Sequence, residues 1–353
     1  MLNSEPSQSE AGSGSVLAGA GPEAALKRRW PKALSISLGS AFALTVIAFL
    51  VARAPLARGR HKVLIVGDSI VAGYRCGVNQ CIEDRLNQEL GRDWNVRNFA
   101  EPGAQLNDYY LMLSKAELLG FEPEMVVITL PPKKLVLSGE LTNDGTNLRW
   151  LPLNREGLEF YGGLQRTRSR PLLLLRKASL LFGFYEGLSS LWERRFAFPG
   201  KRRAMLRESR ETRHKRMLLG AQKIVDDWGK YIHAVNEQTI AASTAASSRE
   251  LDFFLGVLRK RHIRPVIFIP PWPRDELVKA GFAADALAKF DVSYAYLRRW
   301  CRERGLSVVD TSNSRAFESD DWDDFQHVRT PQAFEHLATP LKDWISANHS
   351  DTP

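Results

Sequence analysis

The chain has 353 residues, 44% of them hydrophobic and 25% charged, with a formal net charge of +9. It is long enough for one large domain or two small ones and apolar enough to bury a core, which excludes a disordered chain overall. The three cysteines form no C-x-x-C pair and the histidines do not cluster, so no metal site and no cofactor is expected.

Residues 1–24 are rich in Ser, Gly, Ala, Glu and Pro and read as a flexible tail. Lys27, Arg28, Arg29 and Lys32 follow, so 1–32 form a disordered tail with a basic end. From Ala33 to Ala52 no residue is charged. Twenty residues at ~1.5 Å rise span about 30 Å, one hydrocarbon core, so 33–52 reads as a transmembrane anchor. A cleavable signal peptide is the competing reading, because Ala52-Arg53-Ala54 has the small-x-small form of a cleavage site. Pro55 after the cut and the distance of the basic cluster from the start favour the uncleaved anchor. Basic residues are tied across the span, with Arg53, Arg58, Arg60 and Lys62 after it. The upstream cluster is tighter and follows a short tail, which favours a cytoplasmic N-terminus. The expected location is the inner membrane, single-pass, with the main domain periplasmic.

That domain is expected over 61–348. Val63–Val66 reads as a buried strand and Ile82–Leu90 as a helix. Between them, Cys76 and Cys81 flank a short loop. A Cys76–Cys81 bridge would contribute about 2 kcal/mol on the chain-entropy model. Two unpaired thiols are the alternative, and Cys301 is expected as a free, reactive thiol. Asn95–Phe99 is a second strand, Leu106–Leu119 a helix and Met125–Leu130 a third strand stopped by Pro131-Pro132. Residues from about 140 to 250 break the rhythm and read as a mostly helical insertion. It holds the apolar segment Pro171–Trp192, read as a core or lid helix, and the basic run Lys201–Arg216. Glu208 and Glu211 interleave that run at i,i+3 and i,i+4 spacing. With no recognised motif or aromatic platform beside it, nucleic acid is not the expected partner. A solvated helix face is the plain reading, and contact with anionic lipid or an acidic polysaccharide the sharper one. Helices at Glu250–Arg261 and Ala288–Arg304 precede strands at Val266–Ile269 and Leu306–Val309. A final helix covers Pro331–Ala347. Strands alternating with helices predict an α/β fold with a parallel sheet covered on both faces. Ligands of such sheets bind beyond the carboxyl ends of the strands.

The chemistry-bearing residues fall at that edge. Gly67-Asp68-Ser69 follows the first strand, with Gly73 four residues on. Asp324-Phe325-Gln326-His327 lies about 250 residues later. A serine hydroxyl is a weak nucleophile until a base takes its proton. His327 is the candidate base, and Asp324, at i−3, the carboxylate that would fix its tautomer. Asp320, Asp321 and Asp323 crowd Asp324 but lack that spacing. His336 reads as a helix-face residue. Trp272, in Pro270-Pro271-Trp272-Pro273, is placed at the same edge as a sugar-stacking or packing residue.

Gly67–Gly73 and the Asp324–His327 pair resemble the first and last blocks of the SGNH/GDSL hydrolase superfamily. Asn98–Gly103 is similar to its second block. The resemblance covers about 61–135 and 250–348. It implies a flavodoxin-like three-layer sandwich, catalytic roles for Ser69, Asp324 and His327, and an oxyanion hole built from the N–H groups of Ser69 and Gly103. One block departs from the pattern. Where a Gly-x-Asn is expected after the third strand, the chain reads Leu130-Pro131-Pro132-Lys133-Lys134. Asn107 and Lys133 are the candidates to compensate, each with a plain surface role as the alternative. The resemblance also implies a substrate class: an O-acyl group, acetyl first, on a cell-surface carbohydrate, with a multipass membrane acyltransferase as possible partner. A simple esterase or lipase and a non-catalytic polysaccharide-binding or scaffold protein are the alternatives.

Overall fold

The computed structural model describes residues 40, 43, 59–72, 81–137, 155–157, 209–231, 237–312 and 317–349. Five parallel strands form one sheet: β1 (His61–Val66), β2 (Trp94–Asn98), β3 (Met125–Thr129), β4 (Arg264–Ile269) and β5 (Ser307–Asp310). Their order is β2-β1-β3-β4-β5, the flavodoxin-like doubly wound order. The helices are α1 (Ile82–Leu90), α2 (Leu106–Leu118), α3 (Pro132–Leu137), α4 (Arg210–Tyr231), α5 (Glu237–Lys260), α6 (Arg274–Lys279), α7 (Ala284–Glu303) and α8 (Pro331–His349).

The inner strands β1, β3 and β4 are short apolar runs, so both faces must be covered. Side chains alternate between faces with a period of two. Leu64, Val66, Val126, Ile128, Ile267 and Ile269 turn to one side, where they pack with α2, α5 and α7 through Tyr109, Phe254, Phe290 and Leu297. Val63, Ile65, Val127, Val266 and Phe268 turn to the other, against Ile82 and Leu86 of α1 and Phe334, Leu337 and Leu341 of α8. The result is a three-layer sandwich. In register, Val66 pairs with Ile128, Thr129 with Phe268 and Ile269 with Asp310, so the carboxyl ends of four strands share one edge.

The close approach of β1 and β3 at that edge needs a glycine. A Cβ on Gly67 would lie 2.7 Å from Thr129 Cβ and 2.9 Å from Thr129 Oγ1. The order reverses between these two strands, because β2 lies on one side of β1 and β3 on the other. That is where doubly wound sheets open a crevice.

The expected elements are present with small boundary shifts, apart from α5, which begins at Glu237 rather than Glu250. The short helices α3 and α6 were not anticipated. Of the expected helical insertion, α4 and the first half of α5 are described, and Pro171–Trp192 and Lys201–Glu208 lie outside the described residues. The span expected at 33–52 also lies outside them, except for Ser40 and Ala43. Among the described residues, no helix is long and apolar enough to cross a membrane.

Candidate active site

Ser69 occupies a turn directly beyond β1. Val71 N–H and Ala72 N–H donate to Asp68 O at 3.3 and 3.0 Å, and Ile70 N–H donates to Asp68 Oδ1 at 3.1 Å. The turn is built on the aspartate, which leaves the next residue, Ser69, only partly buried.

His327 and Asp324 sit on a small hairpin-like loop. Trp322 and Val328 form an isolated antiparallel bridge, and Asp323 N–H donates to His327 O at 2.8 Å. Asp324 Oδ1 accepts the N–H groups of Gln326 at 2.9 Å and His327 at 3.0 Å. It also lies 2.7 Å from His327 Nδ1, with Oδ2 at 2.8 Å. One carboxylate therefore shapes the loop and orients the ring, which is the physical content of the i,i+3 spacing. The other ring nitrogen, Nε2, lies 2.7 Å from Ser69 Oγ. The structure thus joins Ser69, His327 and Asp324 in one hydrogen-bonded chain.

The neighbouring aspartates point elsewhere. Asp320 pairs with Arg213 at 3.3 Å, Asp321 Oδ2 accepts Glu318 N–H at 2.9 Å, and Asp323 Oδ1 accepts Arg216 Nη2 at 2.8 Å. His336 packs its ring against Phe317 at 5.7 Å.

Gly103 lies in the loop after β2 with φ +79°, a left-handed conformation that favours glycine. The loop runs alongside the serine turn, because Glu101 N–H donates to Gly67 O at 3.1 Å. Where the third block departs from the pattern, a pair of lysines closes on the aspartate of the serine turn. Lys134 Nζ lies 3.5 Å and Lys133 Nζ 3.8 Å from Asp68 Oδ2. Lys133 also donates to Gln326 Oε1 and Lys134 to Ala104 O. Burial pushes the Asp68 carboxyl up, but Lys134, Lys133, the Ile70 N–H and His327 outweigh it and hold the carboxyl below its ordinary value. Burial lowers the Lys133 ammonium's pKa, only partly offset by Asp68. Of the two roles open to Lys133 in the sequence, the plain surface role does not hold, because its ammonium meets Gln326 and Asp68. The signal that points the other way is its place directly after the prolines that end β3. Asn107 lies on α2, and its buried Oδ1 has no hydrogen-bond partner in the structure.

Trp272 is buried, at 7% exposure. Its ring stacks on Phe290 at 4.8 Å and Tyr294 at 5.8 Å, residues one helical turn apart on α7. It is a wall of the site, and the indole offers little free face to a sugar.

A second feature borders the loop. Arg210, Arg213 and His214 of α4, Glu276 of α6 and Trp322 line a groove of about 460 Å³. The basic run is partly neutralised here: Lys215 pairs with Glu211 at 3.0 Å on α4 itself, and Arg213 and Arg216 reach the 320s. Among the described residues, only His61, Glu124 and His349 gather metal-ligand atoms within 4.8 Å of one another. They lie at the opposite, amino-terminal edge of the sheet, where His61 Nδ1 meets Glu124 Oε1 at 3.2 Å. Cys81 is disulfide-bonded, and Cys76 lies outside the described residues. Cys301 is free but buried, and burial pushes its thiol up to about 12. The expectation of a reactive Cys301 is therefore corrected, since a thiol without water access and without thiolate is inert.

No family model and no curated protein matches the sequence. Among solved structures, a member of the lipolytic G-D-S-L family from Veillonella parvula DSM 2008 is similar at 10% identity and TM-score 0.35, over 83% of this chain and all 100% of that one. A GDSL-like lipase from Bacteroides thetaiotaomicron VPI-5482 gives 12% identity and TM-score 0.35, over 85% and 96%. An α/β hydrolase from the Lake Arreo metagenome gives 13% identity and TM-score 0.37, over 84% and 99%. Likeness at this level carries neither the fold nor the chemistry, and both rest on the chain's own sheet and side chains. Sheet order, residue order and the hydrogen-bonded chain agree with the SGNH/GDSL resemblance in the sequence.

Proposed function

We propose that the chain is an SGNH-type serine hydrolase acting on ester bonds, and that its substrate is an O-acylated carbohydrate. The observation that carries the ester chemistry is the unbroken chain from Ser69 Oγ through the His327 ring to Asp324. In the first step Ser69 Oγ forms a bond to the acyl carbon while His327 Nε2 takes the hydroxyl proton, and the acyl carbonyl oxygen takes up negative charge. The N–H groups of Ser69 and Gly103 are the donors proposed for that oxygen. As the C–O bond to the alcohol breaks, His327 returns the proton to the departing oxygen. In the second step water, or a hydroxyl of an acceptor, gives its proton to His327 and attacks the acyl-serine. The serine leaves with that proton, and free acid or a new ester is released.

Two features support the carbohydrate reading. The groove beside the catalytic loop is large enough for a sugar unit and mixes cationic, acidic and aromatic groups around Trp322. The uncharged stretch 33–52 would hold the domain at a membrane surface, where acylated cell-surface glycans are met. Under this reading the domain is periplasmic, works beside a multipass acyltransferase, and binds no nucleic acid. A binding-only role is disfavoured by the intact hydrogen-bonded chain, which a scaffold would not need.

The test is covalent labelling. A fluorophosphonate should modify Ser69, as located by peptide mass spectrometry, and His327→Ala should suppress labelling. Equal labelling of Ser69 without His327, or modification of another serine, would remove the proposed base or nucleophile. Hydrolysis of an acetylated oligosaccharide well above that of an aryl ester would support the carbohydrate assignment, and indifference between them would favour a simple esterase.

A further inference from the structure

A cleft opens beside the proposed nucleophile, between the ends of β3 and β4. Ile70, which follows Ser69, and Gln326, which precedes His327, both line it. The cleft is thus lined by the chain neighbours of both proposed catalytic side chains. One rim is closed by the hydrogen bond between Lys133 and Gln326. The two other boundaries are the proline pairs that stop β3 and β4, whose ring-locked φ angles make them stiff.

The far wall is a set of packed rings. Phe290 of α7 stacks on Trp272 at 4.8 Å and meets Phe325 of the catalytic loop at 5.2 Å. Tyr294 backs Trp272, and its hydroxyl donates to Pro270 O at 3.3 Å. Phe290 is 1% exposed, so it has no vacant volume to swing into. What these walls leave is about 20 Å³ of space, little more than the ~10–15 Å³ that one water needs on the same measure.

We propose that this cleft is the acyl pocket, and that Phe290, wedged against Trp272 and Phe325, sets its depth and restricts the enzyme to acetyl-sized acyl groups. The proposal rests on the esterase reading above. An apolar lining favours a methyl group over water. A longer chain must displace a close-packed ring, and packed interiors resist added methylenes. Because Phe325 adjoins Asp324, a chain that pushed on Phe290 would also disturb the loop that orients His327. Long acyl groups should therefore lose in kcat as well as in KM.

The experiment is a chain-length series of aryl esters, acetate to hexanoate, with the full chain in detergent. Wild-type kcat/KM should fall roughly 10–100-fold from acetate to hexanoate, the size expected for overpacking one buried ring. Phe290→Leu and Phe290→Ala should flatten or invert that series. A wild-type profile that is flat or peaks at longer chains would overturn the pocket while leaving the esterase reading intact. So would folded Phe290 variants with the wild-type profile. Should neither Phe290 variant fold, the wild-type series decides, together with the rates at which alkyl fluorophosphonates of increasing length label Ser69. No turnover and no labelling at any length would sink the esterase reading, and the pocket with it.

Discussion

The Asp68 carboxylate lies 3.5 Å from the Lys134 ammonium, and both side chains are almost fully buried. The aspartate immediately before the proposed nucleophile is thus the counter-ion of a lysine on α3, and the turn that presents Ser69 is tied to the end of β3 by charge.

Breaking that pair should be costly, because one partner would be left buried and unpaired. Asp68→Asn is expected to destabilise the fold by about 3–5 kcal/mol, read as a lowered urea midpoint. The folded-state pKa of Asp68 lies below the ordinary 3.8. Its contribution is therefore full above that ordinary value and disappears as pH falls through the depressed folded one. The stability gap between wild type and Asp68→Asn should accordingly close in strong acid. A gap that persists at the acid end would mean that Asp68 acts through packing.

Asp324→Asn keeps the shape of the loop but removes the charge that stabilises an imidazolium. It should lower kcat roughly 10⁴-fold with KM little changed. Ser69→Ala should lower it further, toward roughly 10⁶-fold, with an unchanged circular dichroism spectrum. Comparable activity in either purified variant would break the assignment.

Gly67→Ala tests the meeting of β1 and β3. The new methyl would stand 2.7 Å from Thr129 Cβ and 3.0 Å from Val71 Cγ2. Overpacking of this kind costs about 1–3 kcal/mol. The thermal midpoint should drop, and ester hydrolysis with it, because Ser69 lies two residues away. An unaltered midpoint would show that the two strand ends can part freely.

Cys301 should resist thiol reagents in the native protein and react on denaturation. Rapid labelling of Cys301 in folded protein would show that α7 opens far more readily than its packing implies.

Removal of residues 1–54 should leave the thermal midpoint of the domain unchanged. The sheet begins only at His61, and its entry is fixed by Arg60 and His61 N–H groups, which donate to Asp93 O at 2.7 and 2.8 Å. A truncated chain that aggregates or melts early would mean that the N-terminal segment contributes to the core.

Much of this architecture was legible in the sequence. Three apolar runs, stopped by Gly67, Pro131 and Pro270, mark the inner strands β1, β3 and β4, whose burial on both faces leaves little ambiguity. Gly67-Asp68-Ser69 and Asp324–His327 show as local patterns because each is a self-contained turn: Asp68 caps its own loop, and Asp324 caps the loop that holds its partner. What stayed hidden depends on long-range packing. Nothing near Lys133 announces Asp68, which is far away in sequence. Trp272 looks exposed in a proline-rich loop until Phe290 and Tyr294 of α7 cover it. Cys301 looks available for the same reason, although it faces the core through α7.

Arg216 of α4 donates to both Asp323 O, at 3.0 Å, and Asp323 Oδ1, and Gly220 of the same helix faces Phe325, where an added Cβ would meet Phe325 Cβ at an ordinary contact distance of 3.4 Å. The helix that makes these contacts belongs to the insertion, outside the alternating strand-helix frame. The insertion is consequently no detachable appendage. A chain pared back to sheet and covering helices would keep Ser69 just beyond β1 but lose the brace under the loop that holds His327. Exchange of this segment between related chains would transplant the alignment of the catalytic loop along with whatever the groove recognises.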